Sequence, residues 1–259
     1  MDLNEIQRAL REEGLDGWLF FDHHQRDPLA YRILKLKPPP IVSRRWYYLI
    51  PANGEPKGLV HQIEAGSLDG LPGARRTYSS WTAQVESLRA LLAGCRRVAM
   101  QYSPDCVIPY VSLVDGGTLE LVRGCGVEVS SSANLVQYFE ARWSHEQLES
   151  HLEAGRRVDL VRRHAFERIG EKLRSGERVT EWDIQRFILA RFSEEGLFTD
   201  HGPNVSVNAN SSNPHYDPRA ESSVAIQSGD VVLIDLWAKL AGDDSVYYDI
   251  TWTGYCGQS

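Results

Sequence analysis

The chain has 259 residues, 42% of them hydrophobic, and a formal net charge of −7. That length and apolar content exclude a disordered chain and suffice for one large domain or two ordinary ones. The acidic balance argues against a nucleic acid or an anionic membrane surface as the main partner, and no apolar run approaches the roughly 18–20 residues that span a bilayer. The opening Met1-Asp2-Leu3-Asn4-Glu5 is not followed by an apolar signal core. Cys95, Cys106, Cys125 and Cys256 show neither C-x-x-C spacing nor a dense framework. They read as reduced thiols of a cytoplasmic protein.

In chain order, Leu3, Ile6 and Leu10 have helical spacing up to Gly14, and Trp18-Leu19-Phe20-Phe21 is an apolar run of strand length. His23-His24 read as adjacent strand residues, whose side chains point to opposite faces and do not share an ion. Trp46 to Ile50 reads as a strand stopped by Pro51 and the Asn53-Gly54 turn, with Lys57 to His61 as its hairpin partner. A helix over Trp81 to Leu92 and strands over Arg97–Met100 and Gly126–Val129 complete an α/β layer domain. The arginine pairs Arg44-Arg45, Arg96-Arg97 and Arg162-Arg163 are interspersed with acids and read as solvated faces.

The character changes near residue 140, and the expected division is a domain over 1–138 and a second over 139–259. Ser144-His145-Glu146-Gln147 is a capping box that opens a long helix to about Arg174, with Leu148, Leu152, Val158, Val161, Ala165 and Ile169 as its apolar stripe. Thr180-Glu181-Trp182-Asp183 caps a second helix that Gly196 closes. A polar loop from His201 to Ser212 follows. No nucleophile elbow, P-loop or complete dinucleotide fingerprint occurs.

Two apolar runs near the C-terminus, Val231 to Trp237 and Val246 to Thr253, read as the arms of one β-hairpin, and each contains an aspartate, Asp235 and Asp249. With Gly242 at the centre of the turn, each aspartate lies seven residues from it, so the two would face each other directly. Directly opposed Cβ atoms lie roughly 4.5–5.5 Å apart, where like charges destabilise the pair. Aromatic and β-branched neighbours suggest a hairpin covered by other structure, which adds a desolvation cost. A divalent cation between the carboxylates removes both penalties. His215 precedes these strands in the Pro-bounded loop Asn213-Pro214-His215-Tyr216-Asp217-Pro218, placed for substrate hydrogen bonding or proton transfer. Asp230, after Gly229, reads as a turn former.

The run from Gly202-Pro203-Asn204 through Asn213-Pro214-His215-Tyr216 to Gly229-Asp230-Val231-Val232-Leu233-Ile234-Asp235 and Tyr248-Asp249-Ile250-Thr251 resembles the M24 "pita-bread" metallopeptidases, which include Xaa-Pro aminopeptidases and prolidases. The preceding segments resemble the creatinase-type N-terminal domain and the first helices of the catalytic domain. The implied fold class is an α/β N-terminal domain with a mixed sheet, followed by the α+β first half of a pita-bread domain. The resemblance implies that Asp235 and Asp249 bind a pair of divalent metal ions (Mn, Co or Zn), Asp249 bridging them, and that His215 contacts substrate near the scissile carbonyl. Between the aspartates the spacing is longer than the family's usual one, which implies an extended hairpin tip at Gly242-Asp243-Asp244.

The family completes its metal site with a histidine and two glutamates from the second half of the fold, whereas this sequence stops at Gly257-Gln258-Ser259. The expectation is an incomplete domain, inactive and without bound metal by itself, that forms a homodimer or associates with the missing C-terminal half. The implied activity is metal-dependent hydrolysis of an N-terminal peptide bond, next to proline, in a short peptide substrate. Two alternatives are a creatinase-like, metal-free C–N hydrolase and a non-catalytic peptide- or protein-binding pita-bread module.

Overall fold

The structure, a computed structural model, describes residues 1–257. It divides into two compact units, Met1–Arg142 and Trp143–Ser259. No helix among the described residues is long and apolar enough to cross a membrane.

The first unit runs α1 (Leu3–Glu12), β1 (Gly17–Asp22), α2 (Pro28–Leu34), β2 (Trp46–Pro51), β3 (Lys57–His61), β4 (Ala74–Tyr78), α3 (Trp81–Leu91), β5 (Arg97–Met100), α4 (Gly116–Arg123), β6 (Glu128–Ser131) and α5 (Ala133–Val136). Its six-stranded sheet has the order β4-β3-β2-β1-β5-β6. The expected hairpin of β2 and β3 is present and antiparallel, as is β1 with β2, whereas β3–β4, β1–β5 and β5–β6 are parallel. The sheet is therefore mixed. Strand β1 is buried along its whole length because helices cover both faces. Trp18 and Phe20 join Ile6, Leu10 and Ile33 on one side. Leu19 and Phe21 join Leu88 and Val122 on the other. The segment after α5 continues as a π-helical turn, Gln137–Ala141. It stays with the first unit because Tyr138 accepts a hydrogen bond from Arg8 and donates one to Glu5. His23 and His24 lie beyond the end of β1 rather than on a strand. His24 adopts φ 63°, and the two rings sit 4.1 Å apart.

The second unit runs α6 (His145–Ser175), α7 (Glu181–Glu194), β7 (Leu197–Phe198), β8 (Asn204–Val207), β9 (Val231–Leu240) and β10 (Tyr248–Tyr255). Both capping boxes form: Ser144 with Gln147 opens α6, and Thr180 with Asp183 opens α7. The apolar stripe of α6 buries Ala154, Val158, Val161, Ala165 and Ile169, but Leu148 and Leu152 remain exposed because the packed face begins only at the third turn. Strand β9 is the spine of the sheet, antiparallel to β7, β8 and β10. Within the expected polar loop from His201 to Ser212, the structure places β8, whose Val205 and Val207 are buried against the helices. Gly155 inside α6 serves close packing: a Cβ there would lie 2.8 Å from the ring of Tyr248 on β10.

A buried carboxylate fastens the loop after β1. Asp22 accepts hydrogen bonds from the backbone N–H groups of Gln25 (3.0 Å), Arg26 (2.7 Å) and Asp27 (3.1 Å) and from the Tyr31 hydroxyl (2.6 Å). Asp27, which caps α2 through Ala30 N–H at 2.9 Å, is also buried, and its second oxygen has no partner. Burial, and then the neighbouring Asp22, push its carboxyl from 3.8 up to about 7. The folded state thus holds a proton that the unfolded state has released, so stability falls as pH rises from about 4 to about 7. Asp27→Asn retains the cap without the titration. Its expected effect is a flatter melting profile over that pH range and a melting midpoint above neutrality raised by roughly 4 °C or more, read by circular dichroism.

Candidate functional site

The two faces of β9 set the chemistry of the second unit. Val232, Ile234, Leu236 and Ala238 are fully buried against α6 and α7, while Leu233, Asp235 and Trp237 point to the opposite, partly open side. In β10, Asp249, Thr251 and Thr253 are exposed on that same side. The expected cover is therefore present on one face of the hairpin, and the face that carries the aspartates is open. That open face has no layer over it among the described residues.

The register also differs from the one expected. Asp235 pairs with Thr251, and Asp249 pairs with Trp237. The turn centre falls at Asp243 rather than Gly242, which displaces the pairing by two residues. An even displacement preserves the faces, so the aspartates remain on one side as diagonal neighbours, roughly 7 Å apart, rather than in direct opposition. Thr251 fills the position facing Asp235 and donates its hydroxyl to Asp235 Oδ1 at 2.6 Å. Burial, and then the nearby Asp235, raise the Asp249 carboxyl above its ordinary value.

His215 and Asp235 line one cleft of about 430 Å³, together with His201, Asn204, Tyr216 and Trp237. Asp249 adjoins Asp235 on the sheet but is not part of that cleft's lining. The long segment between β8 and β9 carries His215, and a second buried carboxylate holds it. Glu181, fully buried in the first turn of α7, accepts hydrogen bonds from Val207 N–H (2.8 Å), Val224 N–H (2.9 Å), Asn210 Nδ2 (2.9 Å) and the Tyr216 hydroxyl (2.6 Å). Burial and this bond to Glu181 push the Tyr216 hydroxyl up to about 12, so it stays a donor. The backbone N–H of His215 itself rests on Asn213 Oδ1 at 3.0 Å.

Gln185, one turn further along α7, ties the cleft's two walls. Its Nε2 donates to Pro203 O (2.9 Å) and to Asp217 Oδ1 (3.1 Å). Gly202 packs closely beside it: a Cβ there would lie 2.8 Å from Gln185 Nε2 and would displace that amide. Trp237 Nε1 donates to Asp200 Oδ1 at 2.9 Å, which, with His201, holds the Asp200 carboxyl below its usual range. Asp230 accepts from Asn208 Nδ2 (2.7 Å) and Gln227 N–H (2.7 Å) and thus stitches the turn before β9. Sequence reasoning had singled out neither Glu181 nor Gln185 as part of the site. An acid in the first turn of a helix is ordinary, and nothing in one sequence marks this one as the anchor of a loop that begins 26 residues later.

The donor set suits a hard divalent cation in part. Two carboxylates share an open face, and Asn204, the residue paired with Asp235 on β8, presents a buried Oδ1 without a hydrogen-bond partner. No group of three His, Cys, Asp or Glu side chains assembles into a complete shell among the described residues.

Removing Glu181 leaves two backbone N–H groups and two side-chain donors without their acceptor, each buried orphan costing about 1–3 kcal/mol. Glu181→Ala is therefore expected to lose about 4 kcal/mol or more of stability by denaturant titration. Hydrogen exchange at the amides of Val207 and Val224 should accelerate more than exchange in α6.

The sequence profile of metallopeptidase family M24 matches residues 149–259. No curated protein sequence matches the chain. Among solved structures, a prolidase from Pyrococcus horikoshii OT3 superposes with a TM-score of 0.56 at 18% identity, covering 99% of this chain and 65% of that one. Dipeptidase PepE from Mycobacterium ulcerans gives a TM-score of 0.63 at 18% identity, over 98% of this chain and 63% of that one. An Xaa-Pro dipeptidase from Bacillus anthracis gives 0.57 at 15% identity, over 100% and 65%. The chain thus spans slightly less than two thirds of the length of these three proteins. At such identities the likeness concerns the fold, a mixed α/β unit followed by an α+β unit. The C-terminal unit of this chain is thus similar in sequence to metallopeptidase family M24, whose profile spans residues 149–259.

Proposed function

We propose that this chain contributes Asp235, Asp249 and His215 to a metal-dependent peptidase that cleaves an N-terminal peptide bond of a short peptide, with preference for a bond next to proline. The observation that carries the reading is the placement of both aspartates on one open sheet face, with His215 in the cleft that Asp235 lines. The M24 profile match and the prolidase and dipeptidase names of the structural neighbours support it.

Asp235 and Asp249 would hold a pair of divalent ions, with manganese, cobalt or zinc as candidates. Bound there, the ions supply an acidified water and polarise the scissile carbonyl. Thr251 fixes Asp235 by its 2.6 Å hydrogen bond and leaves the second oxygen free. His215 donates a ring N–H to the carbonyl oxygen as negative charge develops there. Glu181 acts through Tyr216 to keep that loop, and so the imidazole, in place. Further ligands would have to come from polypeptide outside the described residues. The bare sheet face and the exposed strand β10 favour its docking here, whether from a second copy or from the polypeptide that completes the domain. Free thiols at all four cysteines suit a cytoplasmic location. A non-catalytic peptide-binding module is the second reading, favoured by the absence of a third ligand among the described residues.

Three variants test the assignment, with manganese binding followed by electron paramagnetic resonance and hydrolysis of Ala-Pro compared with Ala-Ala in the catalytically complete assembly. Asp249→Asn should abolish both metal binding and hydrolysis, whereas Asp230→Asn should leave both largely intact. Equal losses would place the ligand strand elsewhere. His215→Ala should lower kcat by about 10²–10³, the worth of a hydrogen bond made mainly in the transition state, without lowering metal content. Loss of metal in proportion to activity would make His215 a ligand instead.

A further inference from the structure

The first unit carries a cleft that the proposed peptidase chemistry leaves unused. It lies where the end of β1, the loop before β2, the end of β3 and the start of α3 meet, and it measures about 240 Å³. Four of its lining side chains are His23, Arg44, Arg45 and His61.

Neither guanidinium is consumed by an ion pair: Arg44 donates to the carbonyl of its neighbour Ser43, and Arg45 packs over the ring of Trp81 at 5.5 Å. Trp81 opens α3, whose cap Ser80 satisfies only Ala83 N–H, so earlier N–H groups of that eleven-residue helix remain directed at the cleft with the positive end of its dipole. His61 Nδ1 accepts from Ile63 N–H at 3.2 Å, which assigns the proton to Nε2 and makes that atom a donor. Gln84 adds an adaptable polar group to the cleft wall. It is buried at 3% exposure and lines the cleft, yet of its carboxamide only the Nε2 is engaged, donating to Tyr47 OH at 2.8 Å. A carboxamide reverses its two ends readily, so the same side chain can accept from Tyr47 and turn its NH₂ toward a ligand.

Two carboxylates, Glu64 and Asp115, feel the charge of Arg44 and Arg45, but neither forms an ion pair with a guanidinium of the cleft. Glu64 is spent on Ser43 N–H, Ser43 Oγ and Arg44 N–H, and Asp115 caps α4 through Thr118. The surroundings remain cationic enough that burial and the positive charge of His24, Arg45 and Arg26 depress the proton affinity of His23.

We infer that this cleft binds a phosphoryl group, received between the guanidinium forks of Arg44 and Arg45, the His61 Nε2–H and the N-terminus of α3. Planar guanidinium donors match the edges of a tetrahedral oxyanion, and backbone N–H groups complete its coordination.

The test is isothermal titration of the intact chain with inorganic phosphate and, in a parallel arm, with glycerol 2-phosphate, at constant ionic strength set by chloride. Saturable one-to-one binding is expected in at least one arm. The arm with the lower Kd identifies free phosphate or a phosphate ester as the source. The double variant Arg44→Gln/Arg45→Gln should weaken binding by about tenfold or more, as loss of charge-assisted hydrogen bonds does. His61→Phe keeps the ring's edge contact with Tyr78, 4.9 Å between centroids, and should weaken binding without lowering the melting midpoint. Arg123→Gln, outside the cleft, should bind as the parent does. Absence of saturable heat in both arms would overturn the inference, and so would equal weakening in Arg123→Gln and the double variant.

Discussion

The C-terminal unit depends on one buried charge. Glu181 stands at the start of α7, where the helix dipole favours an anion, and its two oxygens take four hydrogen bonds from three separate stretches of chain. Those stretches are the end of β8, the turn after it and the long segment that returns to β9. Apolar burial holds parts of them, at Val205, Val207 and Ile226, and the carboxylate ties the polar turns between. Val207 and Val224 supply backbone N–H groups that would otherwise be orphans, and Tyr216 supplies the side chain that adjoins His215 in sequence. A carboxylate satisfied by four donors in a place that water does not reach fixes a loop far more firmly than surface ion pairs such as those along α6. The first unit uses the same device at Asp22, where three backbone N–H groups and Tyr31 converge.

Strand β9 converts this anchoring into a site. One of its faces is consumed by the helices, so whatever polar chemistry the strand carries must appear on the other. Asn204, Asp235 and Thr251 consequently form a row across three adjacent strands, with Asp249 one step off the row. The row is polar on a sheet whose reverse side is wholly apolar. Between the two aspartates the repulsion is moderate, since they are diagonal rather than opposed, and it adds to burial in raising the proton affinity of Asp249. A fold that kept two carboxylates this close for stability alone would gain nothing from them.

Much of the layout was legible from residue patterns. Both capping boxes marked the helix starts to the residue, and the β2–β3 hairpin followed from Pro51 and Asn53-Gly54. The faces of the C-terminal hairpin were also readable, because period-two alternation survives an error in the turn centre as long as the displacement is even. Other elements were hidden for identifiable reasons. Asn204-Val205-Ser206-Val207 looks like loop because its polar residues are ones that favour turns, and only its pairing with β9 makes it a strand. Strand β4 is exposed except at Tyr78 and carries Arg75 and Arg76 at its centre, so it has no apolar signature to find. Helix α2 is seven residues long with proline at its start, too short for periodicity to register. Long-range partners of single side chains, Glu181 above all, are not written in local pattern. The arginines at 44 and 45 likewise looked like solvated surface until the fold folded a cleft around them.

The central place of β9 has a consequence during synthesis. Helices α6 and α7 leave the ribosome first, exposing Val158, Val161, Ala165, Ile169, Ile184 and Ile188, and the strand that covers them arrives later. From Ile188 to Ile234 the chain adds 46 residues, which at about 5–20 residues per second takes several seconds. Throughout that interval the helical pair is an amphipathic hairpin with a bare apolar stripe, and β8 is a strand without a neighbour. The nascent unit is thus most vulnerable to chaperone capture or misassociation in the window before residue 240 emerges, and its closure comes as a single late event rather than by gradual growth.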